Sequence, residues 1–324
     1  MSEFANETQS TIVQTMPPSN GFWMTAGILA SVAVCAGLFM QHYLDSATTR
    51  NNDQITTVVF DLGGVLLEWN PTKFIAALHP DSPSDAESLH ESQSTLTHDH
   101  SGVTAEHASV QGQAKVGDDI AARSGVAVDH LTPQTRRACL EGMTSSAAWK
   151  AYNRGTATLT QAALDWAKAK RSNSETTAAG NCALPSESDL ASLFEDFGLR
   201  VPALMTPIPA GLAALRRVDA QQRYRLLVLS NFPRDNYEAV RTLWPEVFEP
   251  FSGAVMSFEV ALMKPQREIY LRLLDEFHLR AGECVFIDDK PENVAGAVAV
   301  GMVGVSNLDR GAQLEARLAA IGIL

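Results

Sequence analysis

Asp61 closes a short apolar run and is followed by Leu62 and two glycines, Gly63 and Gly64. A carboxylate at such a junction can cap a helix or attack an electrophile. The glycines let the chain turn sharply and let a ligand approach the main chain. Three further features bear on the choice. Ser230 closes a second apolar run and offers a hydroxyl, with the Asn231 amide beside it, to a phosphoryl oxygen. Lys264 lies in Met-Lys-Pro just ahead of a helical pattern and can neutralise phosphate charge. Asp288 and Asp289 close another apolar run, and their carboxylates suit a hard cation such as Mg²⁺.

The elements that must position these groups follow from the pattern. Ile55 to Phe60 (ITTVVF) is rich in β-branched residues and runs into Asp-Leu-Gly-Gly, as a buried strand runs into a loop. Arg225 to Leu229, Cys284 to Ile287 and Met302 to Val305 repeat it, leading into Ser230-Asn231, Asp288-Asp289 and Ser306-Asn307. Helical patterns such as Arg267 to Phe277 and Glu292 to Ala299 lie between them. Strand alternating with helix predicts a parallel sheet in an α/β fold. Ligands then bind beyond the carboxyl ends of the strands, the edge where all these polar residues fall.

About 165 residues separate the first two strands, far more than a βα crossover needs. Ala147 to Lys170 carries apolar residues at helical spacing around a break at Gly155. Pro80 to Val128 and Arg171 to Ser188 are polar and read as low-complexity insertions. His79, His90, His98, His100, His107 and His130 fall in or beside the first. Their irregular spacing, with no Cys in support, reads as a solvated segment rather than a metal site.

The N-terminus has a different character. No charged side chain occurs from Thr8 to Gln41, and Gly21 to Met40 (GFWMTAGILASVAVCAGLFM) is long and apolar enough for a transmembrane helix. Trp23 sits near one end, as an interfacial aromatic would. The preceding segment has Glu3 and Glu7 and no basic residue, unlike a cleaved signal peptide. Arg50 is the first Lys or Arg after the span, which favours a cytoplasmic C-terminal bulk. The expected organisation is a polar tail (1–20), a membrane helix (21–40), a linker (41–54), a core (55–70 and 200–324) and a helical insertion (71–199).

Across the 324 residues the net charge is −12, which argues against a broad nucleic-acid surface. It leaves room for a small phosphorylated substrate, which needs only one local positive site. The four cysteines, Cys35, Cys139, Cys182 and Cys284, are far apart and read as free thiols.

The ordered segments VVFDLGGVLLEWNP, LLVLSN, MKPQREIY and VFIDDKPENVAGA resemble the four motifs of the haloacid dehalogenase superfamily. The pattern is most similar to the glucose-1-phosphatase-like branch of subfamily IA. The resemblance covers Thr56 to Val305 apart from the inserted segments. It implies a Rossmann-like core with an α-helical cap inserted after the first strand, and Tyr152-Asn153-Arg154-Gly155 fits such a cap. It implies a phosphatase acting on small phosphomonoesters, sugar phosphates among them. Asp61 is then the nucleophile that forms an aspartyl-phosphate. Mg²⁺ is held by Asp61, Asp289 and the Gly63 carbonyl. Ser230, the Asn231 amide and Lys264 hold the transferring oxygens. Asp288 orients Lys264 or a metal-bound water, and Asn293 braces the loop.

One position departs from most phosphatases of the superfamily. They carry a second Asp, the general acid and base, where this chain has Gly63. The glucose-1-phosphatase-like pattern also has Gly there. Glu68 is a substitute candidate, against its plainer reading as a polar residue at the cap hinge. Two alternatives accompany the phosphatase reading. One is a catalytically weak, membrane-anchored binding module, motivated by Gly63 and the long insertions. The other is a dehalogenase, against which the acidic pair Asp288-Asp289 speaks.

Overall fold

Five short strands form one parallel sheet, and the apolar runs of the sequence supply four of them. The structure is a computed structural model and describes residues 54–81, 128–175 and 184–324. In chain order the elements are β1 (Thr57–Phe60), α1 (Pro71–Leu78), α2 (Pro133–Leu140), α3 (Ala147–Asn153), α4 (Leu159–Glu175), α5 (Glu187–Leu204) and α6 (Pro209–Asp219). Then come β2 (Arg225–Ser230), α7 (Arg234–Leu243), α8 (Pro245–Phe248), β3 (Gly253–Met256), α9 (Ser257–Val260) and α10 (Arg267–Glu276). The chain ends with β4 (Cys284–Asp288), α11 (Pro291–Ala299), β5 (Val303–Ser306) and α12 (Leu314–Ala320).

The sheet order is β3-β2-β1-β4-β5. In register, Phe60 pairs with Val228 on one side and with Ile287 on the other. The residues one or two steps beyond, Asp61, Ser230 and Asp288, therefore emerge side by side at the carboxyl edge. Both faces of the sheet are covered, so β1 is buried along its whole length. This explains why it reads as a continuous apolar run rather than an alternating one. β3 was not legible: Gly253-Ala254-Val255-Met256 is four residues long and begins with a poor strand former.

α1 to α5 fill the interval after β1. The chain leaves the core at residues 66–68 and returns at 206–208, and the two crossings are stitched together. Glu68 N–H donates to the Thr206 carbonyl (2.8 Å) and Ile208 N–H to the Leu66 carbonyl (2.8 Å). The boundary expected at 199/200 falls inside α5. The helical stretch expected from 147 to 170 is split into α3 and α4, with Gly155 at φ +69° between them.

The second low-complexity insertion is corrected at both ends. Arg171 to Glu175 continue α4, and Ser186 begins α5 with a reciprocal capping box to Asp189. His79 is likewise no solvated residue. It is 2% exposed at the end of α1, and burial, with Arg136, Arg200 and Arg137 nearby, lowers its pKa to about 4. His130 is exposed beside Asp189. The other four histidines, and most of the first low-complexity segment, lie outside the described residues. Cys139 and Cys284 are buried and neither is in a disulfide; Cys35 and Cys182 lie outside the described residues. The expected membrane span, 21–40, also lies outside them. Among the described residues no helix is long and apolar enough to cross a membrane.

Candidate active site

The Asp61 N–H donates to the Ile287 carbonyl (2.9 Å), which carries the β1–β4 ladder one residue past the strand and fixes the carboxylate at its end. Three donors converge on Asp61 Oδ1: the Leu62 N–H (2.8 Å), the Ser230 hydroxyl (2.7 Å) and the Lys264 ammonium (2.8 Å). Lys264 arrives from the loop before α10, 4% exposed. Its Nζ also donates to Asp288 Oδ2 (2.6 Å) and to the Leu229 carbonyl (2.8 Å), so all three ammonium hydrogens have acceptors.

Asp288 is fully buried and saturated. Besides Lys264 it accepts from the Lys290 N–H (2.8 Å) and, on both oxygens, from the Asn293 side-chain amide (3.0 Å each). Asn293 is in turn fixed through its carbonyl by the Tyr270 hydroxyl (2.8 Å). These bonds make Asp288 and Asn293 a brace for Lys264 and leave Asp288 little capacity to bind a ligand. The Asn231 side chain is committed to the lysine loop. Its amide donates to the Lys264 carbonyl (2.9 Å) and accepts from the Lys264 N–H (2.9 Å). That side chain holds the lysine loop, so the group Asn231 could offer a phosphoryl oxygen is its main-chain N–H.

The electrostatics follow from this crowding. Burial, opposed by Lys264 and reinforced by Asp288, raises Asp61 to about 6. Burial and then the charges of Asp61 and Asp288 raise Asp289 to about 7, against Lys290 and Lys264. Burial pulls the Lys264 pKa down, but Asp288 and Asp61 outweigh it, and the net shift is upward. Lys264 therefore stays charged. Three carboxyl groups face one buried ammonium, a surplus of acidic groups that favours a cation.

The donors fit a small divalent cation. Carboxylate oxygens of Asp61, Asp288 and Asp289 lie within 4.8 Å of one another. Asp289 Oδ1 is buried with no hydrogen-bond partner. An all-oxygen, acidic donor set of this kind is what Mg²⁺ takes. Gly64 makes room for the Asp289 carboxylate: its φ is +75°, and a Cβ there would come within 2.3 Å of Asp289 Oδ2. Since Asp288 is spent on Lys264 and Asn293, Asp61 and Asp289 are the carboxylates that could hold the ion, with the neighbouring Gly63 carbonyl.

Gly63, Ser230, Asn231, Lys264 and Asn293 line the cavity above Asp61, together with Trp69, Trp149, Asn153, Met205, Phe232, Pro233, Asn236 and Lys290. Glu68 is not among them. It pairs with Arg310 (2.7 Å), 242 residues away in sequence, which explains it as a tether rather than an acid. The sequence reading missed the aromatic wall. Trp69 stands in the motif segment LEWNP and Trp149 in the helical pattern after Ala147, but nothing local shows that they meet.

A sequence profile of the haloacid dehalogenase-like hydrolases matches residues 55–301. The sesquiterpene phosphatase astK of Aspergillus oryzae is 33% identical over 100 residues, which are 31% of this chain and 50% of that protein. The chain thus spans about half the length of the curated relative it matches. Among solved structures, a HAD-family enzyme of Bacteroides thetaiotaomicron aligns with a TM-score of 0.39 and 16% identity over 78% of this chain and 93% of that one. The L-2-haloacid dehalogenase of Xanthobacter autotrophicus aligns with a TM-score of 0.41 and 15% identity over 78% and 77%. The profile spans most of the chain and takes in Asp61, Ser230, Lys264 and the Asp288-Asp289 pair, so the protein belongs to the haloacid dehalogenase-like hydrolase family.

Proposed function

We propose that the protein is a Mg²⁺-dependent phosphatase of small phosphomonoesters, in the glucose-1-phosphatase-like branch of subfamily IA, working through an aspartyl-phosphate. The carrying observation is one buried carboxylate, Asp61, aimed by Ser230 and Lys264 beside an acidic cluster with an orphaned oxygen. With its pKa near 6, Asp61 is ionised at neutral pH and can attack. An Asp61 oxygen forms a bond to phosphorus as the bond from phosphorus to the alcohol oxygen breaks. Water then attacks the aspartyl-phosphate, releasing inorganic phosphate and restoring the carboxylate. Ser230 and the Asn231 N–H bind the transferring oxygens, and Lys264, steadied by Asp288 and Asn293, keeps Asp61 in line. Bound Mg²⁺ would offset the repulsion between carboxylate and phosphate.

The direct test is phosphate release from an aryl phosphate, with Mg²⁺ and with a chelator. Release that needs the metal supports the phosphatase. A protein that binds phosphomonoesters without turning them over would be the catalytically weak binding module instead, a reading favoured by the absence of a side-chain acid at Gly63.

Gly63 leads to a second expected result. With no carboxylate there, the leaving oxygen takes its proton from solvent, so its own acidity should govern the rate. At saturating substrate, aryl phosphates and sugar 1-phosphates should turn over faster than alkyl phosphates such as sugar 6-phosphates. Gly63→Asp should raise the slow rates most, by up to about 10²-fold. The backbone accepts the change, since Gly63 has no positive φ and a Cβ would meet Trp69 Cβ at 3.4 Å, an ordinary contact. Equal wild-type rates for the two classes, with chemistry rate-limiting, would reveal another proton donor, and Lys290 at the rim would be the group to replace.

The uncharged stretch 21–40 supports a single-pass membrane anchor with the catalytic domain on the cytoplasmic side. The full-length protein should stay with membranes through alkaline carbonate extraction, and a chain starting near Asn51 should be soluble and keep its activity. Release of the intact protein by carbonate would remove the anchor from the reading.

A further inference from the structure

One wall of the cavity that holds Asp61 is aromatic and apolar. Trp69, from the loop after β1, and Trp149, from α3, stack with ring centroids 6.3 Å apart and planes 20° from parallel. Met205, Phe232 and Pro233 complete this wall. The wall is preset rather than loose. Trp149 is 4% exposed and packs edge-on against Tyr152, Phe194 and Phe197, and Trp69 packs edge-on against Phe74.

The polar groups on this wall are few and partly committed. The Asn153 amide donates to the Trp149 carbonyl (2.8 Å), and Asn236 Oδ1 accepts from the Tyr152 hydroxyl (3.2 Å). Among the described residues of α1 to α5, no Asp, Glu, Arg, Lys, His, Gln, Ser or Thr lines the cavity. The remaining charge, Lys290, is exposed at the rim. A sugar or other polyol placed here would bury hydroxyls against rings and a thioether, and unpartnered buried hydroxyls oppose binding. A hydrocarbon would exchange water for aromatic faces and gain.

We propose that the natural substrate is the phosphate monoester of an apolar, unsaturated or aromatic alcohol, whose hydrocarbon lies against Trp69, which Trp149 backs, while its phosphate sits at Asp61. The inference rests on the phosphatase reading and names the substrate class of that same site. It departs from the sugar phosphates that the motif resemblance implied.

The test uses the full chain with Mg²⁺ and three probes. A ten-carbon unsaturated primary alkyl phosphate and glycerol 3-phosphate have leaving groups of similar acidity, so their kcat/KM ratio reports recognition rather than proton supply. Acetyl phosphate, which carries a good leaving group and no long hydrocarbon, reports the phosphoryl site. The alkyl phosphate should exceed glycerol 3-phosphate by at least 10²-fold in kcat/KM, mainly through KM. Trp69→Ala should cut that ratio at least tenfold, and Trp69→Leu, which keeps an apolar side chain, should restore part of it. Turnover of acetyl phosphate with no preference for the alkyl ester would overturn the substrate class and leave the phosphatase standing. No turnover of any probe would overturn both. The wild-type ratio alone decides, whether or not a tryptophan variant folds.

Discussion

Asp61→Asn should lower phosphate release on the order of 10⁴-fold or more, with the fold intact. The expectation comes from what the substitution keeps. Asparagine matches the shape of aspartate and can still accept from the Leu62 N–H and the Ser230 hydroxyl. Lys264 loses one of its two carboxylate partners but keeps Asp288 and the Leu229 carbonyl. The variant loses the carboxylate proposed as nucleophile, and the two beside it are poor replacements: Asp288 is saturated, and Asp289 is the group proposed to hold the cation. Steady-state release measures the loss, and circular dichroism checks the fold. Acid quenching followed by mass spectrometry of the Asp61 peptide should find the phosphorylated form in the wild type alone. An Asp61→Asn protein with wild-type turnover would remove Asp61 from the chemistry.

The sequence showed the part of the site that a single rule governs. In a parallel sheet the polar residue after each apolar run must fall on one edge, so the sequence alone groups Asp61, Ser230, Asp288 and Asp289. Lys264 was legible through its motif but not through any spacing, because the loop that carries it reaches back over the sheet. What stayed hidden depended on pairings between distant segments. The Asn231 side-chain amide is spent on the Lys264 backbone, a pairing across 33 residues that no local pattern shows. Glu68 reads as a spare acid in the sequence, but Arg310, 242 residues away, pairs with it. Trp69 and Trp149 belong to different elements, and their stacking depends on how α3 docks. That docking is set by Ser257, whose hydroxyl donates to the Asn153 carbonyl (2.6 Å) and accepts from the Phe232 N–H (2.9 Å).

Asp289→Ala should lower Mg²⁺-dependent turnover by about 10³-fold, the scale of losing several kcal/mol of charge stabilisation. It should also leave a signature in stability that needs no substrate. In the unfolded chain Asp289 ionises near 3.8, and in the metal-free fold only near 7. Below 3.8 the proton is bound in both states and the carboxylate costs nothing. As pH rises toward 7 the unfolded chain releases that proton while the fold retains it, so the folded state loses stability over this window. Above 7 the charge is present in both states and the full penalty stands. With metal removed by a chelator, the Tm of Asp289→Ala relative to wild type should therefore climb between about pH 4 and pH 7 and level off beyond. Added Mg²⁺ should act in the opposite sense. It competes with the protons on Asp289 and Asp61, so it should raise the wild-type Tm more at pH 8 than at pH 5.5. The same addition should do little for Asp289→Ala at either pH. A variant that Mg²⁺ stabilises as much as the wild type would show that the ion binds without Asp289, and the orphaned oxygen would then need another partner.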